Sequence, residues 1–185
     1  MTRAHIWGAT FFVDYASRWV KVHLMQDVTG DSTLEAKNSF ERDFMTRNVV
    51  PQHYHAENGR FAENSFKEDC VRKMKNLTFC GVGTHHQNGI SERNIKDLTF
   101  SSRTLVLHAQ RHWPEYITTM FWPFALVVPV DRMNNLHVDM HGQTYGNEVF
   151  KRYRLVYKTD PFSYVWLSCL YSGCKTTKCW WQSSP

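Results

Sequence analysis

The apolar residues change period repeatedly along the chain, and the order of those periods restricts it to a layered mixture of strands and helices. Ala9 to Val13 is short, apolar and bounded by the turn-like Asp14-Tyr15-Ala16-Ser17, and Trp19 to Leu24 alternates Trp19, Lys21 and His23 against Val20, Val22 and Leu24. These spacings predict two strands joined as a hairpin. Gly30-Asp31 breaks the run, Ser32 with Glu35 three residues on reads as a capping box, and Ala36, Phe40 and Phe44 recur at helical spacing. Val49 to His55 reads as a further strand, Asn58-Gly59 as a turn, and Phe66, Cys70 and Met74 as the stripe of a second helix. Leu77 to Val82 is a short buried strand. After a loop punctuated by Gly81 and Gly89, a helix from about Ser91 to His108 carries Ile95, Leu98, Leu105 and Ala109 on one side. Trp113 to Leu136 reads as further helical packing interrupted by Pro123 and Pro129. Strand, strand, helix, strand, helix, strand, helix, helix is the order of an α/β or α+β layer fold.

Composition sets the outer limits. With 185 residues, 42% of them hydrophobic and 15% aromatic, the chain can bury a real core and is not a disordered polymer. The longest apolar run, Phe121 to Val130, carries two prolines and falls well short of the ~20 residues that cross a bilayer, so no membrane partner is expected. Nothing near the start resembles a secretory leader, and cysteines 70, 80, 169, 174 and 179 make no C-x-x-C pair. Free thiols in a reducing compartment follow, and the chain is not expected to be secreted. A net charge of +5 permits a nucleic-acid partner without demanding one.

Two segments place carboxylates where chemistry is commonly built. Tyr54-His55-Ala56-Glu57-Asn58-Gly59-Arg60-Phe61 puts Glu57 at a strand end before a tight turn, and His85-His86-Gln87-Asn88-Gly89-Ile90-Ser91-Glu92-Arg93 puts Glu92 in the first turn of a helix beside a polar loop. Two acids so arranged suit divalent cations that activate a nucleophile and stabilise a leaving oxygen on phosphorus. Glu92 also has a plainer reading, because the helix macrodipole favours an acid in a first turn. His53 and His55 alternate along a strand and His85 and His86 adjoin in a loop, and both pairs read as solvent-facing or core histidines. The aromatics at 113, 121, 122 and 124 read as core.

The stretch from Gly8 to about Val149 resembles the integrase core of copia-type retrotransposons, of the DDE retroviral-integrase family. The likeness rests on Ala9 to Arg18 (ATFFVDYASR), Tyr54 to Phe61 (YHAENGRF), Phe79 to Gly81 and His86 to Arg93 (HQNGISER), extended by Trp122-Pro123-Phe124-Ala125 and Asn134-Asn135-Leu136. It implies a ribonuclease H-like fold: a mixed sheet with flanking helices, whose first, central strand would be missing because the chain starts after it. It also implies DNA strand-transfer chemistry dependent on Mg²⁺ or Mn²⁺, a DNA partner, a homo-oligomer on DNA, no small-molecule substrate, and a nuclear or cytoplasmic location. The family carries three acids. Glu57 stands at the second position, where the family has Asp, Glu92 stands at the third, and the first has no counterpart. Asp14 matches a family position on the second strand with a structural role. The resemblance makes Glu57 and Glu92 the catalytic and metal-binding residues, and Gln87, Asn88, Arg93 and Lys96 DNA contacts. A plainer role for Lys96 is a surface pair with Glu92, worth only ~0.3 to 0.5 kcal/mol.

Three segments are expected on this reading. Residues 1–113 form the core without its first strand, which leaves its neighbours with unpaired backbone groups. Residues 114–150 form a helical extension. Residues 151–185 are first basic (Lys151, Arg152, Arg154, Lys158), then rich in Cys and Trp, and are expected to be irregular. Read in the next frame, Phe162 to Trp181 can spell a segment resembling the HxFGCPVYxLD stretch that follows copia-type cores. Trp166, Trp180, Trp181 and the three late cysteines would then be out-of-frame products of a decayed element, with activity impaired or lost. A non-catalytic nucleic-acid-binding remnant, or a pseudogene product, is the alternative.

Overall fold

A computed structural model describes residues 5–15, 17–46, 49–81 and 88–136, together with the backbone of 164–171. Strands β1 (Gly8–Asp14) and β2 (Val20–Met25) form the hairpin, followed by helix α1 (Gly30–Met45), strand β3 (His53–Ala56), helix α2 (Asn64–Arg72) and strand β4 (Asn76–Phe79). Helices α3 (Gly89–His112) and α4 (Trp122–Leu136) come next, and strand β5 (Tyr164–Tyr171) is last. The first eight elements occur in the order that the periodicities imply. The local differences have physical causes. Helix α1 is capped by Thr29, whose side chain takes the Ser32 N–H while the Ser32 hydroxyl answers at Thr29, so the capping box lies three residues ahead of the Ser32/Glu35 pair. Met74 lies beyond α2 at φ 52 and is 88% exposed, so it leaves the stripe that Phe66 and Cys70 form. Helix α3 buries Leu98, Ser102 and Val106, which turns Leu105 partly to solvent. Pro123 sits in the first turn of α4, where its missing N–H costs nothing, and the helix continues through Pro129. Of the four aromatics expected in the core, Trp122 packs on it, whereas Trp113 and Phe124 are exposed.

The larger correction concerns the middle of the sheet. Its five strands run in the order β2-β1-β5-β3-β4. The strand β5 lies antiparallel to β1, from Gly8 opposite Tyr171 to Asp14 opposite Val165, and parallel to β3, from His53 beside Tyr164 to Ala56 beside Leu167. The centre of the sheet is therefore taken by part of the segment expected to be irregular. Tyr164 to Tyr171 is a continuous aromatic and apolar run with one serine, the composition of a strand buried on both faces. Backbone groups of β1 and β3 that would otherwise face an empty slot are thereby paired.

Two cores flank the sheet. On one face Phe12, Ala36, Phe40, Phe44, Tyr54, Ala56, Phe61 and Phe66 pack together, with Phe12 stacked on Phe40 at 4.7 Å between ring centroids. On the other, Ala9, Phe11, Val13 and Val20 meet Leu98 of α3 and Leu126 of α4. Beneath the first core lies a buried ion network. Lys37 Nζ, fully buried, is 2.6 Å from Asp69 Oδ2 and 2.8 Å from Glu41 Oε1, Lys73 reaches both acids, Arg72 pairs with Asp69, and the Tyr54 hydroxyl donates to Glu41 at 2.9 Å. Burial alone would raise both carboxyls, but the hydrogen bonds from Lys37 and Lys73 hold Glu41 below the usual carboxylate range, and those bonds with Arg72 hold Asp69 far below it. Burial and the neighbouring Glu41 push the Tyr54 hydroxyl well above its ordinary value.

Candidate active site

The site lies where β3 and β4 end and α3 begins. Glu57 is the first residue after β3 and half-buried; Asn58 follows, its side-chain amide donating to the Cys80 carbonyl at 2.7 Å, which ties this turn to the end of β4. Gly59, at φ 135, a conformation that L side chains rarely adopt, then swings the chain into the 3-10 turn Arg60–Ala62. From the other side, Asn88 stands at the start of α3, buried, and its Nδ2 donates to Glu57 Oε1 at 3.0 Å. That bond fixes one oxygen of the carboxylate. Glu92, half-buried, sits in the first turn of α3, where the helix dipole favours its negative charge.

Both acids bear on one thiol. Burial raises the Cys80 thiol above its ordinary value, and the negative charges of Glu57 and Glu92 push it further the same way. The Asn88–Glu57 bond ties the strand end that carries one carboxylate to the start of the helix that carries the other. Beside them His55 Nδ1 and His53 Nε2 each lie 2.9 Å from Thr78 Oγ1, and His55 Nε2 lies 3.3 Å from Cys80 Sγ. Burial lowers both imidazoles, so they favour the neutral form. Period and composition do not bring Thr78 or Cys80 to the end of β3; the parallel pairing of β3 with β4, which sets His55 beside Thr78, does.

The remaining candidates divide. Arg93 and Lys96 are exposed on α3, with Arg93 reaching Asp97 at 3.9 Å one turn on. Gln87, His85 and His86 lie outside the described residues. Asp14 is fully buried away from this cluster of bonds: its carboxylate accepts from the Ser17 N–H at 2.8 Å and from the Ser17 hydroxyl, closing the β1–β2 turn. Strand β5, which occupies the central slot, contains no carboxylate. Among the described residues no three His, Cys, Asp or Glu side chains converge as a ready cation cage. Two carboxylates still suit one Mg²⁺, which keeps several waters and takes one or two carboxylates. They do not supply a shared ligand for two metals.

No protein-family model matches the chain, and no curated protein matches it. Solved structures do. The HTLV-2 integrase catalytic core domain, solved in complex with magnesium in a trimeric form, aligns with a TM-score of 0.54 at 20% identity over 78% of this chain and 95% of that one. The BIV integrase catalytic core domain aligns with a TM-score of 0.56 at 16% identity over 85% of this chain and 100% of that one. A chain of the simian T-cell lymphotropic virus intasome, solved in complex with PP2A regulatory subunit B56 gamma, aligns with a TM-score of 0.54 at 22% identity, over 78% of this chain and 53% of that one. The chain therefore has the fold of a retroviral-type integrase catalytic core, a mixed α/β arrangement of the ribonuclease H-like kind.

Proposed function

We propose that this chain is an integrase-type core of copia-type descent that binds DNA and holds one divalent cation at Glu57 and Glu92, with strand transfer impaired for want of a third carboxylate. The observation that carries the reading is the Asn88–Glu57 hydrogen bond, which ties the end of β3 that bears Glu57 to the start of α3 that bears Glu92, in a sheet with the integrase-core fold. Mg²⁺ or Mn²⁺, when bound, would polarise a phosphoryl oxygen and sharpen a hydroxyl nucleophile. This chain's own residues do the rest. Asn88 orients the Glu57 carboxylate, Asn58 anchors the turn that presents it, and α3 offers Arg93 and Lys96 to phosphates, contacts that position DNA without reading its sequence. Gln87 belongs to the same proposed DNA face, and the neighbours' multimeric forms make a homo-oligomer on DNA part of the reading.

A second reading, a non-catalytic DNA-binding remnant, is favoured by the lack of any carboxylate in β5. One experiment separates the two. The full chain is incubated with a labelled blunt DNA end, a target duplex and Mn²⁺. Strand-transfer product that disappears in Glu92→Gln supports residual catalysis. Salt-sensitive DNA binding that survives chelator, with no product, supports the remnant. Absence of DNA binding at moderate salt overturns both.

A further inference from the structure

Glu57 and Glu92 are carried by different elements, the end of β3 and the first turn of α3. Strands β1 and β2 pair as one ribbon, β3 and β4 as another, and β5 lies between the ribbons. On the α1 face the ribbons also share a core, in which Phe12 of β1 meets Phe40 and Phe44 of α1 and Tyr54 and Ala56 of β3. On the α3 face, the buried cluster around Leu98 and Leu126 draws Ala9, Phe11, Val13 and Val20 from the first ribbon and, among the described residues, none from β3 or β4. Helix α3, which carries Glu92, packs on β1 and β5. Strand β5 thus adds a link between the α3 face and the strand that ends at Glu57, alongside the Asn88–Glu57 hydrogen bond and the chain that runs from β4 into α3.

We propose that β5 is a positioning element for the carboxylate pair: the slot between β1 and β3 is a binding site for an extended strand, and its occupant is residues 164–171 of the same chain. Seating β5 fixes the placement of Glu57 relative to Glu92, and releasing it loosens that placement while the α1-side core keeps the remainder folded. The register supports a direct effect, since Ala56 pairs with Leu167 immediately before Glu57. The inference rests on the proposed function only in taking Mn²⁺ as the probe of the pair.

The register also supplies the test, because Thr10 stands opposite Cys169. In the full-length Thr10→Cys protein, oxidised glutathione should give a cross-linked monomer on a non-reducing gel that is absent from Thr10→Cys/Cys169→Ser. At moderate urea the oxidised form should hold Mn²⁺, followed by electron paramagnetic resonance, at least tenfold more tightly than its reduced form. Full-length Ser168→Pro should bind Mn²⁺ at least tenfold more weakly than the native chain, with faster amide exchange in β1 and β3 and unchanged protection of Phe40 and Phe44 in α1. No cross-link, a cross-linked dimer showing that the strand sits in a second copy, or equal Mn²⁺ affinity of oxidised and reduced forms would overturn the proposal. If Ser168→Pro loses its α1 protection as well, the idea that β5 leaves separately is overturned. If the native chain binds no Mn²⁺, the carboxylate reading fails on its own, and the cross-link and exchange results still decide whether β5 bridges the ribbons.

Discussion

The Asn134 side chain holds both backbone groups of Val20: its Nδ2 donates to the Val20 carbonyl at 2.7 Å and its Oδ1 accepts the Val20 N–H at 2.9 Å. Val20 opens β2, the edge strand, so the end of α4 acts as a local substitute for a missing neighbour strand. Buried backbone groups deprived of such partners cost about 1 to 3 kcal/mol. Asn134→Leu, which keeps the bulk and loses both bonds, is expected to lower unfolding stability by that amount. A change in unfolding free energy below about 0.5 kcal/mol, from urea titration, would show that water replaces the amide.

Acid should unfold this protein through Glu41 and Asp69. Both carboxyls titrate lower in the folded chain than in the unfolded one, so on acidification the unfolded chain takes up protons first. Their stabilisation is complete above the ordinary carboxylate range, at about pH 4 to 4.5, and is lost as pH falls through the folded values. Urea midpoints measured between neutral pH and pH 3 should be flat at first and then decline. Lys37→Met, which leaves two buried acids without their central cation, should cost about 3 to 5 kcal/mol at neutral pH. Its deficit should shrink in acid, where those acids become neutral.

Asp14 separates a structural carboxylate from a cation ligand. Its bonds to Ser17 close the hairpin turn, so Asp14→Ala should lose about 1 to 2 kcal/mol of stability with Mn²⁺ affinity unchanged. A tenfold loss of Mn²⁺ affinity in a folded variant would move Asp14 into the site.

The exposed cations of α3 should act through charge alone. Arg93→Ala and Lys96→Ala should each weaken DNA binding equally across sequences and reduce the slope of log affinity against log salt by about 1. Fluorescence anisotropy with two unrelated duplexes over a salt series is the measurement. An unchanged slope would place α3 away from the phosphates.

Periodicity made the helices and the hairpin legible because each buries one face: Phe40 and Phe44 in α1, or Phe66 and Cys70 in α2, repeat at the spacing that the core requires. The expected strand through Val49 is shorter for a local reason. The Val49 N–H is taken by the Phe44 carbonyl, so β3 begins only at His53. The place of β5 was not legible, although its signal was present. Tyr164 to Tyr171 reads as a buried strand by composition, but only the unfilled slot, a tertiary property, says where such a strand goes. Lys37 was hidden for the opposite reason. A lysine at helical spacing from Glu41 looks like a solvated pair until Asp69 arrives from α2 to bury it. At the site, Glu57 and Glu92 were recognisable by type and position, whereas Cys80, His55 and Thr78 joined them through strand pairing that no local pattern encodes.

The late position of β5 also dictates an order of events during folding. Asp14 pairs with Val165, and Gly8 with Tyr171, so β1 waits for a strand far downstream of it before its second edge is covered. Contacts of such sequence separation are slow to form, because loop closure must be paid for before they contribute. During synthesis the two ribbons and α1 can assemble while a bare double edge remains open between them, the kind of surface that pairs readily with other extended chains. Soluble yield should therefore depend on how fast β5 emerges and docks as well as on the final stability of the sheet.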